Sequence, residues 1–149
     1  MNEKIMSTMI QLGFDLKELD DDVYEFSYEG VGFLLITQDD DDFVQFCISF
    51  GHVGGSLPVL DYYKLLNTFN STYKYIKFIE NHELLFLCYE RQIFSGEDLN
   101  ETIPSMIFQL ENVFRSIFKM LHELEDDQTD DEEKTAEAYS EMDEDTACI

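Results

Sequence analysis

The stretch Val23-Tyr-Glu-Phe-Ser-Tyr-Glu-Gly-Val-Gly-Phe-Leu-Leu-Ile-Thr37 decides the fold. In its first half Tyr24, Phe26 and Tyr28 alternate with Glu25, Ser27 and Glu29. Successive side chains of a strand point to opposite faces, so this alternation predicts a strand with one apolar and one wet face. Glu29-Gly30 then supplies a tight turn, because glycine reaches positive φ without a Cβ clash. Val31 to Thr37 follows as a second strand, and so short a link requires the two to pair antiparallel.

Downstream, Phe43 to Phe50 predicts a third strand, with Val44, Phe46, Ile48 and Phe50 on one face. Upstream, Ile5, Met6, Met9 and Ile10 recur at helical spacing between Glu3 and Leu12. Gly13 occupies the left-handed stop position, with Phe14 behind it to fold back on the last turn. Glu18 to Asp22 is expected as a charged connection. Gly51-His-Val-Gly-Gly-Ser56 breaks the regular structure. Pro58 then suits the first turn of a helix from Leu57 to about Tyr73, where its missing N–H is not needed. Val59, Tyr62, Tyr63, Leu66, Phe69 and Tyr73 share one face of that helix.

Lys74 to Glu80 and Glu83 to Arg91 predict a hairpin through Asn81-His82. Leu84 to Tyr89 is apolar without a break, which predicts a central strand covered on both faces. A final helix runs from near Asn100 to about Leu124, with a stripe of Ile103, Met106, Ile107, Leu110, Val113, Phe114, Ile117, Leu121 and Leu124. The expected architecture is a two-layer α+β domain over residues 1–124. It has a five-stranded antiparallel sheet with helices and the element order α-β-β-β-α-β-β-α. Residues 125–149 are expected to form an acidic, mobile C-terminal tail.

The totals agree with one folded domain. The chain has 149 residues, 44% hydrophobic and 14% aromatic, enough to build a core and to exclude wholesale disorder. Its formal net charge is −24. Such a surface repels phosphate backbones and anionic lipids, so neither nucleic acid nor membrane is an expected partner. No apolar run approaches the roughly 20 residues that span a bilayer. Met1 to Met6 lacks the cationic and apolar regions of a secretory signal. Cys47 and Cys88 lie in apolar runs, where a thiol acts as a small core residue. Cys148 is second from the end and does not fit a prenylation signal. An odd number of cysteines without a signal points to a reducing cytoplasm.

Candidate chemistry is sparse. Asp39 to Asp42 offers four adjacent carboxylates, but a calcium loop counted from Asp39 meets Val44 where glycine is needed and Phe50 where glutamate is needed. Aspartate favours turns through bonds to nearby backbone N–H groups, so a solvated hairpin tip is the plainer expectation. His52, His82 and His122 match no zinc spacing, and no Cys-x-x-Cys pair accompanies them. Gly54-Gly-Ser56 lacks the second flanking glycine of a nucleophile elbow. No catalytic, cofactor-binding or metal-binding residue is therefore assigned, and no enzyme is expected. On the second helix, Leu65 lies on the margin of the inward face and Leu60 well away from it. They are either scattered exposed leucines or part of a contact surface formed with Tyr62 and Phe69.

"QLGF" (Gln11 to Phe14), three strands, "LPVLDYYKLLNTFN" (Leu57 to Asn70), two strands and a long helix together resemble the type III secretion chaperone-like fold, and within it the YbjN-type bacterial domains. The resemblance spans about residues 3–124. The secretion chaperones hold an unfolded segment of a client protein and perform no chemistry, and they pair into dimers. Regulatory or stress-linked roles are suggested for the YbjN-type relatives. The resemblance implies a non-enzymatic protein-binding module, chaperone-like or regulatory, that holds a partner protein segment as a homodimer. Val23 to Glu29 is the expected accessible strand for an added client segment. The alternatives are an immunity-type inhibitor whose acidic surface plugs a basic toxin, and a small metal-dependent enzyme using Asp39 to Asp42.

Overall fold

The computed structural model describes the backbone of residues 1–38, 42–52 and 58–146, and side chains as far as Glu123. The chain falls into two compact units, Met1–Arg115 and Ser116–Ile149. The element order is α1 (Asn2–Gln11), β1 (Lys17–Asp20), β2 (Val23–Tyr28), β3 (Val31–Thr37), β4 (Phe43–His52), α2 (Val59–Thr72), β5 (Ile76–Asn81), β6 (Leu84–Gln92) and α3 (Leu99–Thr146).

The strands form one antiparallel sheet in the order β1-β2-β3-β4-β6-β5. It has six strands where the sequence predicts five. The extra strand is β1, drawn from residues expected as a charged connection, and all four of its side chains are exposed. Backbone pairing with Val23–Glu25 of β2 holds it in place, so no apolar alternation announces it.

Local chemistry explains the joints. Helix α1 ends as its sequence predicts: Gly13 has φ of 91°, its N–H donates to Ile10 O, and the Phe14 N–H donates to Met9 O. These two bonds satisfy carbonyls that the helix end would leave bare. Glu29 and Gly30 both take positive φ, the turn whose twist matches a two-residue hairpin. The β5–β6 turn lies at His82-Glu83, with Asn81 already paired to Leu84, one residue later than expected.

Residues directly opposite each other in a ladder share a sheet face. The chain of pairs Phe26↔Phe33, Leu35↔Phe46, Phe46↔Tyr89, Ile48↔Leu87 and Leu87↔Phe78 therefore defines an inner face. Phe26, Phe33, Leu35, Phe46, Ile48 and Leu87 are all at most 2% exposed. Ring contacts place all three helices there. Phe14, just after α1, meets Phe26 at 5.2 Å, and Phe69 of α2 meets Phe78 at 5.0 Å. Phe114 of α3 meets Phe50 at 4.8 Å, and Phe50 stacks on Phe78 at 5.9 Å. Arg115 pairs with Glu111 and donates to the Glu29 carbonyl at 2.8 Å, tying α3 to the β2–β3 turn.

Helix α3 passes its expected end near Leu124 and continues as helical backbone to Thr146, through the acidic segment expected to be mobile. Neither glycine nor proline occurs after Pro104, and alanine and glutamate are good helix formers, so nothing local stops the helix. In the Ser116–Ile149 unit, Phe118 and His122 pack edge-on at 4.4 Å one turn apart.

Candidate protein-contact surface

The four residues expected to form a contact surface on α2 separate. Tyr62 and Phe69 point inward at 8% and 6% exposure, Leu65 is half-buried, and Leu60 is 65% exposed. Val59 and Tyr63, expected on the inward face, are exposed instead. The inward stripe is only Tyr62, Leu66 and Phe69, because α2 packs at the sheet margin against β5, where a narrow stripe suffices.

The expected accessible strand, Val23 to Glu29, is not an edge. It lies between β1 and β3. The true edges are β1 and β5, and each is blunted. β1 is short, charged and interrupted between Glu18 and Asp20. On β5, the Asn70 side chain accepts the Phe78 N–H at 2.6 Å and donates to the Phe78 carbonyl at 3.3 Å. That amide occupies the two groups that an incoming strand would need, a device that suppresses edge-to-edge pairing.

The outer sheet face is the larger opportunity. The pairs Val23↔Ile36, Leu34↔Cys47, Cys47↔Cys88 and Phe86↔Ile79 run an apolar band across five strands. Val23, Leu34, Ile36, Leu84 and Phe86 are half-buried, and Ile79 and Phe43 are about 40% exposed. The sequence predicts that β6 is covered on both faces. Leu85, Leu87 and Tyr89 lie on the inner face and are buried, whereas on the outer face Cys88 is buried and Leu84 and Phe86 are half-buried. Sequence reasoning missed this band, although its signal was present: both sets of alternate residues in Leu84 to Tyr89 are apolar.

Clefts open where the ladders end. The β3–β4 ladder begins at Leu34↔Cys47 although both strands extend further, and the strands part there around a space of about 420 Å³ beside Gly32, Phe33, Ile48 and Phe114. Another, of about 490 Å³, lies where β6 outruns β5, between Tyr75, Arg91 and Phe94.

Electrostatic perturbations are few. The Cys47 and Cys88 thiols hydrogen-bond each other, which raises Cys47 and lowers Cys88. Burial, followed by the Glu80 carboxylate, raises the Tyr62 hydroxyl, and burial raises Tyr89. Glu97 is held below the usual carboxylate range, first by accepting the Phe94 N–H and then by its bonds to Thr102 and Arg91. Among the described residues, no three His, Cys, Asp or Glu side chains form a group able to hold a metal. The Asp39 to Asp42 turn lies outside the described residues except for Asp42, which is exposed and whose carbonyl accepts the Ile93 N–H. Among the described residues, no helix is long and apolar enough to cross a membrane.

No protein-family model matches the chain, and no curated protein matches it in sequence. Solved structures do. YbjN from E. coli, a proposed transcription regulator, aligns with a TM-score of 0.57 and 17% identity over 75% of this chain and 84% of its own. An uncharacterized protein from Methanothermobacter thermautotrophicus aligns with a TM-score of 0.55 and 16% identity over 80% of this chain and 98% of its own. At such identities the likeness is one of fold, and at that level it supports the YbjN-type arrangement expected from the sequence.

Proposed function

We propose that this chain is a non-enzymatic protein-binding module whose contact surface is the outer sheet face around Leu34, Ile36, Ile79 and Phe86. The observation that carries this reading is the apolar band opposite the helices. A solvated face of an antiparallel sheet ordinarily carries polar residues, and an apolar patch rimmed by polar ones marks a contact site. Because both edges are blunted, docking on the face replaces the strand addition expected from the sequence.

Magnitudes narrow the partner. Fully burying one such side chain contributes about 1.5–3 kcal/mol, so completing five half-sheltered ones yields on the order of 5 kcal/mol. Association costs about 4–15 kcal/mol in lost freedom, so the band alone scarcely suffices. A basic protein adds attraction to a surface of net charge −24 and is steered towards it. YbjN is a proposed transcription regulator; a regulatory role for this chain runs through protein contact, since its charge repels nucleic acid.

The test is affinity capture from a lysate of native cells at low and high salt, with wild type and Ile79→Asp. A basic protein retained by wild type at low salt, but lost at high salt and lost by the variant, is the expected result. Identical retention by the variant would remove this face from the account. Self-association is the second reading, supported by Val59, Leu60 and Tyr63 at 71%, 65% and 53% exposure on α2. Sedimentation velocity tests it: a dimer dissociated by Leu60→Asp supports it, and a monomer at every concentration removes it.

A further inference from the structure

Cys47 and Cys88 stand directly opposite each other on β4 and β6, with no covalent bond between them. Three separate contacts fix the type of that pair. The Phe78 N–H and carbonyl point away from β6 to Asn70, so the β5–β6 bonds fall at Lys77↔Cys88 and the Cys88 backbone groups turn towards β5. The Ile93 N–H bonds Asp42 O, and counting along the β4–β6 ladder from there again leaves Cys47↔Cys88 as a non-hydrogen-bonded pair. The bond from the Thr37 N–H to Asp22 O sets the β2–β3 phase, which turns the Leu34 backbone to β4 and assigns the Cys47 backbone groups to β3.

That type matters. Non-hydrogen-bonded antiparallel pairs bring Cα atoms to about 4.5 Å with the side chains closest, inside the roughly 4.4–6.8 Å span that a disulfide bridges. Both thiols lie on the outer sheet face and are buried, at 3% and 4% exposure, so the oxidant must be small. Lys77 opposes Cys88 from β5, and Glu90 follows two residues along β6 on the same face.

We infer that Cys47 and Cys88 form a reversible dithiol–disulfide site that a small hydroperoxide oxidises without unfolding the sheet. Cys88 is assigned the attack, because hydrogen bonds from Cys47 and the Gln45 side chain lower its thiol against the opposing effects of burial and Glu90. Its Sγ takes the distal peroxide oxygen, the O–O bond breaks, and Cys88 becomes a sulfenic acid as the other oxygen leaves and is protonated to water. Cys47 Sγ then attacks Cys88 Sγ. The S–S bond forms, the S–O bond breaks, and the hydroxyl departs as water with the Cys47 proton. Two thiols thereby lose two electrons, and one hydrogen peroxide becomes two waters. The pair lies within the outer apolar band, but its oxidation is read on the isolated protein and does not depend on a docked partner.

The experiment treats the folded full-length chain, with Cys148→Ser to remove the third thiol, with hydrogen peroxide, followed by non-reducing digestion and mass spectrometry. The expected result is a linked peptide pair joining Cys47 to Cys88, lighter by the two thiol hydrogens and separated by dithiothreitol. In Cys47→Ser, dimedone should label Cys88; in Cys88→Ser, Cys47 should stay unlabelled. A folded chain in which both thiols remain reduced overturns the inference, as does a linked pair that appears only after denaturant is added. The measurement on intact Cys47 and Cys88 decides the matter even where a serine variant fails to fold.

Discussion

Leu87 and Phe86 are neighbours on one strand and belong to two different surfaces. Leu87 faces the helices and is fully buried, whereas Phe86 faces outward and is half-sheltered. The inner face is close-packed with Phe46, Phe33 and Leu35, while the outer one carries a half-buried apolar band. The outer face mixes that band with Glu25, Gln45, Lys77 and Glu90. The proposed contact surface is the outer one.

The largest effect should separate the faces directly. Phe46→Ala leaves a cavity between sheet and helices and should cost about 3–5 kcal/mol in urea unfolding. Phe86→Ala removes a ring already half in water and should cost about 1–2 kcal/mol. Equal losses would mean that the outer face is packed as tightly as the inner one.

The edge comes next. Asn70→Ala strips the Phe78 N–H and carbonyl of their partners and should destabilise by about 1–3 kcal/mol. It also opens the β5 edge, so light scattering should show association that grows with concentration. A variant that loses stability yet stays dispersed would show that β5 is protected by something else.

A smaller change sharpens the outer face. Ile79→Thr alters an exposed strand position and should shift stability by no more than about 0.5 kcal/mol. Glu97 supplies the smallest and most specific signal. Its folded pKa is depressed, so its contribution is present above the unfolded value of 4.5 and fades as pH falls through the folded value. The urea midpoint of Glu97→Gln should lie below wild type at neutral pH and converge with it in acid. A gap that persists at low pH would contradict the assigned bonds.

Much of the fold was legible in residues whose local chemistry has one solution. Gly13 with Phe14, Glu29 with Gly30, and the alternation of Tyr24, Phe26 and Tyr28 each announced the element found. β1 was not legible, because Lys17 to Asp20 bury nothing and pairing alone makes them a strand. The inward stripe of α2 was read too wide. Val59 and Tyr63 satisfy the period, but the margin of a sheet offers nothing for them to pack against. The outer band was hidden for a related reason: an unbroken run such as Leu84 to Tyr89 says that two faces are apolar, and it does not say what lies against the second. The Cys47↔Cys88 pairing depends on the order β4-β6, which joins strands separated in the chain by α2 and β5.

The most direct test of the central claim is photocrosslinking inside native cells, with a benzophenone amino acid placed at Ile79 on the outer face or at Phe108 on an exposed position of α3. A discrete adduct to a basic protein from position 79, absent from position 108, is the predicted result. Adducts from 108 with none from 79 would contradict it and move the contact surface to the helices.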